Sequence, residues 1–137
     1  MFEGIAVKDT VAGEVLEVDL TEFFDTETPV MFRYRTPTVA DVYAVSQQHI
    51  LDAWQLKHPD IPKEMAQTLE FLGRLHLEPA ASQPIGEAYY ELLVQKMDAY
   101  TAARFIAKVM RHIAPWAHDL DSLLDEKKVP FAAERQP

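Results

Sequence analysis

The stretch VMFRYRTPTVADV, residues 30–42, is the place where the sequence changes from strand periodicity to helix periodicity. In its first half every second residue from Val30 to Tyr34 is apolar, which is typical of a half-buried β-strand. In its second half Thr38 stands three residues before Asp41, a spacing close to that of a capping box at the start of a helix. We therefore predict a strand in the first half and a helix that begins within two residues of Thr38.

A second run with the strand pattern lies upstream, at residues 14–20, where alternate positions from Leu16 to Leu20 are apolar. Two such runs in succession predict an antiparallel β-hairpin. In that hairpin Arg33 and Arg35 are expected to face acidic residues of the first strand, in cross-strand pairs that contribute about 0.2–1 kcal/mol each.

Downstream of residue 38 the apolar residues recur at helical spacing, and prolines mark most of the helix boundaries. The first helix is expected to turn an apolar stripe towards the core, and this stripe includes Val39, Tyr43 and Trp54. Asp98 either caps a separate helix with a very regular apolar stripe or lies within a helix that continues through it, and the pattern favours the break. The predicted helices run from Thr38 to near His58, from Asp60 to a linker at 78–84, from that linker to Met97, from Asp98 past Ile113, and from Pro115 to about Lys128.

These patterns predict a mainly α protein with a small N-terminal β-hairpin (α+β), with about five helices in one domain. A chain of 137 residues has the usual size of a single domain. Within residues 1–137 we expect a β-rich N-terminal segment (1–36), a helical body (37–128) and a flexible tail (129–137).

The chain carries a net charge of −9, and many of its acidic residues lie near the N-terminus. Residues 1–30 contain eight acidic side chains and a single basic one, Lys8. Such a protein repels the phosphates of nucleic acids and anionic membranes, so neither is expected as a partner. The sequence has no signal-peptide pattern and no apolar run of the roughly 20 residues that span a bilayer. We therefore expect a cytoplasmic protein.

Residues that carry catalysis or bind metals are sparse and poorly spaced. The chain has no cysteine, which removes thiol nucleophiles, disulfides and thiolate metal sites. Its five histidines form no His-Glu-x-x-His motif and no i, i+4 pair, and the pair of His58 and Asp60 offers at most a weak metal site. Ser46 and Ser82 lack the sequence context of a nucleophile. We therefore expect no enzyme activity, no metal and no cofactor.

Two features indicate binding of another protein. Arg104, Lys108 and Arg111 recur at helical spacing opposite an apolar stripe, and we call them the cationic strip. The strip is either a solvated face or a surface for an acidic partner, such as the acidic N-terminal segment of another copy. Trp54 and Trp116 are either core residues or interface anchors. We therefore expect weak homo-oligomerisation together with partner binding.

Residues 30–42 also carry a family resemblance. A strand that ends in Arg35, then Pro37 and Thr38, then Asp41 in the first turn of a helix, resembles the tail assembly chaperones of tailed bacteriophages and prophages. Members of that family are similar in size, acidic, and mainly helical behind a short β-rich start.

The resemblance implies binding rather than catalysis, in the cytoplasm of a bacterial host. Family members hold the long tape measure protein soluble, help to recruit tail tube proteins around it, and are lost from the finished tail. No catalytic residue carries over. Two other functions stay open: another phage structural adaptor, such as a head–tail completion or tail-terminator-like protein, and a small helical regulatory binding protein.

Overall fold

The computed structural model describes residues 3–4, 14–77 and 85–115, and the fold is stated for these residues. In chain order the elements are β1 (Val15–Asp19), a 3₁₀ turn (Thr21–Phe23), β2 (Met31–Arg35), α1 (Val39–Val45), α2 (Gln48–Lys57), α3 (Lys63–Leu75), α4 (Ile85–Tyr90), a π-helical segment (Glu91–Lys96) and α5 (Ala99–Ile113). The predicted fold class, mainly α with a small N-terminal hairpin, is confirmed. The predicted linker at 78–84, the helix at 115–128 and the tail at 129–137 lie wholly or almost wholly outside the described residues.

β1 and β2 form the predicted antiparallel hairpin, in a register that places Val18 opposite Phe32. The inner face of the hairpin is apolar, and Val18, Leu20 and Tyr34 are fully buried. Alternation along the two strands therefore identified the face that enters the core.

The expected contacts between arginines of β2 and acids of β1 differ for the two arginines. Arg33 lies directly opposite Glu17, as expected. Arg35 lies opposite the apolar Val15, and its guanidinium instead donates two hydrogen bonds of 2.6 Å to Asp41. The expectation for Arg35 was wrong because the two oxygens of one carboxylate match the guanidinium fork in a way that no cross-strand neighbour does here.

After α3 the chain returns to the hairpin and adds to the second edge of β2. His76 pairs with Tyr34 in an antiparallel bridge, and the N–H of Leu77 donates to the carbonyl of Arg33 at 2.9 Å. β2 is therefore flanked by backbone on both edges near the buried Tyr34.

The predicted first helix, 38–58, is divided into α1 and α2 by a break after Val45. The hydroxyl of Ser46 donates to the carbonyl of Tyr43 at 2.7 Å, and the side-chain amide of Gln47 donates to the same carbonyl at 3.3 Å. These side chains occupy an acceptor that a continuous helix needs for its own backbone, and such competition ends helices. The predicted start at Thr38 and the predicted end near His58 are both confirmed.

The predicted apolar stripe is wrong for α1, because the helix is rotated by its only charged residue. Asp41 is 2% exposed, whereas Val39 is 72% exposed and Tyr43 is 68% exposed. Residues two apart on a helix point in nearly opposite directions. Once the arginines draw Asp41 inwards, Val39 and Tyr43 must face outwards.

The apolar stripes of α3 and α5 are buried as predicted. In α3 the buried side chains include Leu69, Leu72 and Leu75, and in α5 they include Phe105 and Val109. Both helices exceed ten residues and have one clear apolar face, so periodicity alone fixes their orientation.

The chain before α5 is π-helical rather than α-helical. The N–H of Met97 donates to the carbonyl of Leu92, five residues earlier, at 3.1 Å. Asp98 is the N-cap residue of α5, so the break that the sequence favoured at this residue is confirmed. The predicted helix 85–97 is an α-helix only as far as Tyr90, because a π turn admits an extra residue that 3.6-residue spacing does not anticipate.

α3, α4 and α2 approach closely at two glycines. A Cβ on Gly73 would lie 3.1 Å from the backbone nitrogen of Gly86. A Cβ on Gly86 would lie 3.1 Å from Cζ2 of Trp54. Glycine at these positions lets the three helices pack more closely than any side chain would permit.

Candidate protein-binding groove

An open groove of about 640 Å³ lies between the start of α3, the π-helical segment and the first half of α5. Its lining is mostly apolar, and we call it the client groove. The apolar side chains that line it include Met65, Tyr90, Leu93, Val94, Met97 and Ile106. Concave, apolar surfaces between helices are a common form of binding site.

The π-helical segment shapes the floor and one wall of the client groove. Leu93 is 2% exposed and belongs to the core, whereas Val94 is 40% exposed and faces the opening. Met97, at the end of the segment, lines the same wall. Single π turns within helices occur frequently at functional sites.

Two of the five methionines in the chain, Met65 and Met97, line the client groove. Methionine is unbranched and polarizable, so it adapts to different apolar partners and is favoured at surfaces that bind varied sequences. Periodicity assigned both residues to helix faces and gave no sign that they would line a shared groove.

The polar end of the client groove is formed by the loop between α2 and α3. Lys57, His58 and Asp60 lie there, with charges of both signs. The ring of His58 stacks on Tyr90 with 3.7 Å between ring centroids, and its Nε2 lies 3.0 Å from the carboxylate of Glu87. The loop is therefore held against α4, and the mouth of the groove keeps a fixed edge.

His58, considered above with Asp60 as at most a weak metal site, is directed to Glu87 instead, and Asp60 is exposed. Within residues 3–4, 14–77 and 85–115, no group of three or more His, Asp or Glu side chains is placed to hold a metal ion.

Trp54 is a core residue and not an exposed anchor. It is 7% exposed, and its indole N–H donates to the carboxylate of Glu70 at 2.9 Å. A smaller cleft of about 370 Å³ lies beside it, and the carboxylate of Glu87 in that cleft already contacts Lys57 at 3.8 Å. Of the two alternatives that the sequence left open, the structure places Trp54 in the core, and its part in partner binding stays a prediction. The other candidate, Trp116, lies outside the described residues.

The cationic strip contacts the acidic N-terminal segment within the same chain. Lys108 Nζ lies 3.2 Å from one carboxylate oxygen of Glu22, and a guanidinium nitrogen of Arg104 lies 3.4 Å from the other. The Arg104 guanidinium also lies over the ring of Phe23, 5.3 Å from its centroid. Arg111 is exposed. An acidic partner at the strip would have to displace Glu22.

Asp41 joins three elements of the fold through its carboxylate. It accepts two hydrogen bonds from Arg35 of β2 and two, at 3.2 and 3.3 Å, from Arg74 of α3. It also closes the predicted capping box with Thr38, whose N–H donates to it at 2.9 Å. The Arg35 hydrogen bonds hold the pKa of this carboxyl well below its usual range, although burial acts in the opposite direction. A carboxylate so fully engaged has a structural role.

Two buried tyrosines, Tyr34 and Tyr89, form a second hydrogen-bonded chain with the half-buried His76. The two hydroxyls lie 2.6 Å apart, and the Tyr89 hydroxyl lies 2.7 Å from Nδ1 of His76. Burial raises the pKa of Tyr34, so this residue stays protonated. Because Tyr34 and Tyr89 are both buried, these hydrogen bonds fix the hairpin against α4.

Comparison with known proteins gives no match, since no protein-family model, curated protein or solved structure is significantly similar to this chain. The resemblance to tail assembly chaperones therefore rests on residues 30–42 and on the general architecture. Within the residues that the structure describes, no helix has both the length and the apolar character needed to cross a membrane.

Proposed function

We propose that this protein is a non-catalytic binding protein whose client groove holds the apolar face of a helical partner. We further propose that it is a tail assembly chaperone of a tailed phage or prophage, with the tape measure protein as its client and tail tube proteins as second partners. The observation that carries the proposal is the open apolar groove along the π-helical segment.

The dimensions of the client groove suit a short stretch of helix. Its α5 wall runs from Ala99 to Ile106, which at 1.5 Å per residue is about 10 Å, or two helical turns. A client helix lying there presents apolar residues at i, i+3 or i+4, and i+7. A tape measure protein is long and helical, so many segments of one molecule meet this requirement.

The charge of the chain selects among such helices. With a net charge of −9, the protein repels a client whose polar face is acidic and attracts one whose polar face is basic. Two synthetic helices with the same apolar stripe, one with Lys and one with Glu on the polar face, are therefore expected to differ in affinity. The difference is expected to shrink as salt is added, because exposed charges are screened over about 8 Å at physiological ionic strength.

The proposal is tested with labelled peptides that tile the tape measure protein encoded in the same genome. Fluorescence anisotropy is expected to identify amphipathic segments that bind. Val94→Glu places a carboxylate at the groove opening and is expected to weaken binding about tenfold or more, because burial desolvates the new charge. Leu56→Glu is the matched control, since Leu56 is 85% exposed and does not line the groove.

The proposal fails if no segment of the tape measure protein binds, or if Val94→Glu and the wild type bind equally well. Mass spectrometry of purified particles separates the chaperone from a structural adaptor. A chaperone is expected to be absent from finished particles, whereas an adaptor is retained in them.

A further inference from the structure

α1 presents an apolar, uncharged face to solvent that no described part of the chain covers. Val39 and Tyr43 lie one helical turn apart and are 72% and 68% exposed. Residues 42–51 contain no Asp, Glu, Lys or Arg, in a chain where 26% of residues are charged. Interface centres are likewise depleted of charge and enriched in tyrosine.

This face and the client groove lie at opposite ends of α3. α1 is held to the end of α3 by the bonds between Asp41 and Arg74. The groove is lined by the start of α3, at Met65, and by the residues just before that helix. One molecule therefore presents an apolar projection at one end of α3 and an apolar recess at the other.

We infer that the α1 face of one copy occupies the client groove of a second copy. α1 has seven residues and is about 10 Å long, which matches the groove wall from Ala99 to Ile106. Val39 and Tyr43 supply the i, i+4 pair of anchors that a groove between helices accepts. Neither surface brings a group of like charges into the contact.

The contact is heterologous, because two different surfaces of the same chain meet. Heterologous contacts build open chains or rings rather than closed symmetric dimers. The two anchors bury on the order of 200 Å², against the roughly 800 Å² per partner of a standard stable interface. The self-association is therefore weak, and a client with a longer apolar face displaces the α1 face of the second copy from the groove. This displacement rests on the proposed function, whereas the self-association does not.

Salt distinguishes this contact from one made by the cationic strip. Copies with a charge of −9 repel one another, so screening is expected to strengthen an apolar contact between them. A contact between the strip and the acidic segment of another copy is weakened by the same salt. Sedimentation velocity over a concentration series, at low and high ionic strength, shows whether salt strengthens or weakens the self-association.

Complementation between variants tests the two surfaces directly. Tyr43→Glu removes the projection and Val94→Glu blocks the recess, so each variant alone is expected to be monomeric. An equimolar mixture is expected to form dimers but nothing larger, because one intact projection and one intact recess remain. Leu56→Glu is expected to associate like the wild type, and circular dichroism verifies that all three variants are folded.

A strict monomer at the highest concentration overturns the inference, as does association of Tyr43→Glu at the wild-type level or a mixture that stays monomeric. Client binding is measured on the same samples. Tyr43→Glu is expected to keep client affinity while losing self-association. If self-association follows the variants but no client binds, the proposed function fails and the inference stands. If clients bind but complementation fails, the inference alone is rejected.

Discussion

Replacement of Asp41 by asparagine removes one charge at the point where β2, α1 and α3 meet. The carboxylate is 2% exposed and accepts hydrogen bonds from Arg35, Arg74 and Thr38. Asparagine has nearly the same shape and keeps one acceptor oxygen, so it is able to retain part of the helix cap. The change in stability of this variant therefore measures mainly the loss of the negative charge and of the second acceptor oxygen.

The expected cost follows from the burial of the partners. Removing one member of a fully buried ion pair costs about 3–5 kcal/mol. The side chains of Arg35 and Arg74 are 33% and 36% exposed, so both are able to recover water when the carboxylate is lost. The cost is therefore expected to be smaller than for a fully buried pair and close to that of losing hydrogen bonds to a charged group. We expect Asp41→Asn to lower the free energy of unfolding by about 2–3 kcal/mol.

Urea denaturation followed by circular dichroism measures this change. With a slope of about 1–3 kcal/mol per molar urea, the midpoint is expected to fall by about 1–2 M. Asp52→Asn is the matched control, because Asp52 is exposed and bonds only to the neighbouring Gln48 among described residues. A shift below about 0.5 kcal/mol for Asp41→Asn, equal to that of the control, would refute the claim that this network holds the three elements together.

The same carboxylate makes stability depend on pH in a defined direction. Its pKa is lowered in the folded state, chiefly by the Arg35 hydrogen bonds, from an unfolded value of about 3.9. Its contribution is therefore complete above that unfolded pKa and is lost as the pH falls towards the folded pKa. Thermal melts below pH 4 are expected to fall more steeply for the wild type than for Asp41→Asn, and parallel curves would contradict the assignment.

Three further changes test other features of the fold. Gly73→Ala is expected to lower the free energy of unfolding by about 1 kcal/mol in a denaturant assay. The new Cβ would lie 3.1 Å from the backbone of Gly86, and this overpacking is expected to cost more than alanine gains in helix propensity. Gly4→Ala is the neutral control, because a Cβ there has nothing within 4 Å. Thr38→Ala is expected to cost about 1 kcal/mol through the lost cap, and an unchanged denaturation midpoint would argue against that role. Thermal melts with and without EDTA are expected to coincide, whereas a drop of several degrees on chelation would reveal a metal requirement that the described residues do not explain.

Features fixed by neighbouring residues were predictable from the sequence. The cap at Thr38 needs only Asp41 three residues later, and the start of α5 needs only Asp98 before a long amphipathic run. Alternation in the hairpin and the stripes of α3 and α5 are equally local, since one buried face repeats at a fixed period.

Features fixed by distant residues were not predictable. The rotation of α1 depends on Arg74, which lies 33 residues after Asp41, and the position of Glu22 depends on Lys108, 86 residues away. The client groove combines residues from five separate elements, of which one is a π-helical segment with no signature in the periodicity. These residues lie far apart in the sequence, so no local pattern predicts that they come together.

The packing of the hairpin against α5 has a consequence for the protein while it is being made. Phe105 of α5 lies 5.2 Å from Phe23 and 6.0 Å from Phe32, measured between ring centroids. Roughly 80 residues separate the end of β2 from the end of α5, and a ribosome that adds about 5–20 residues per second needs roughly 4–16 s to synthesise them. During those seconds the nascent hairpin lacks α5, the helix that packs on Phe23 and Phe32, and a hairpin without its full packing is only marginally stable in water. Any pause in translation between these elements lengthens the period in which two apolar strands are open to aggregation on the ribosome.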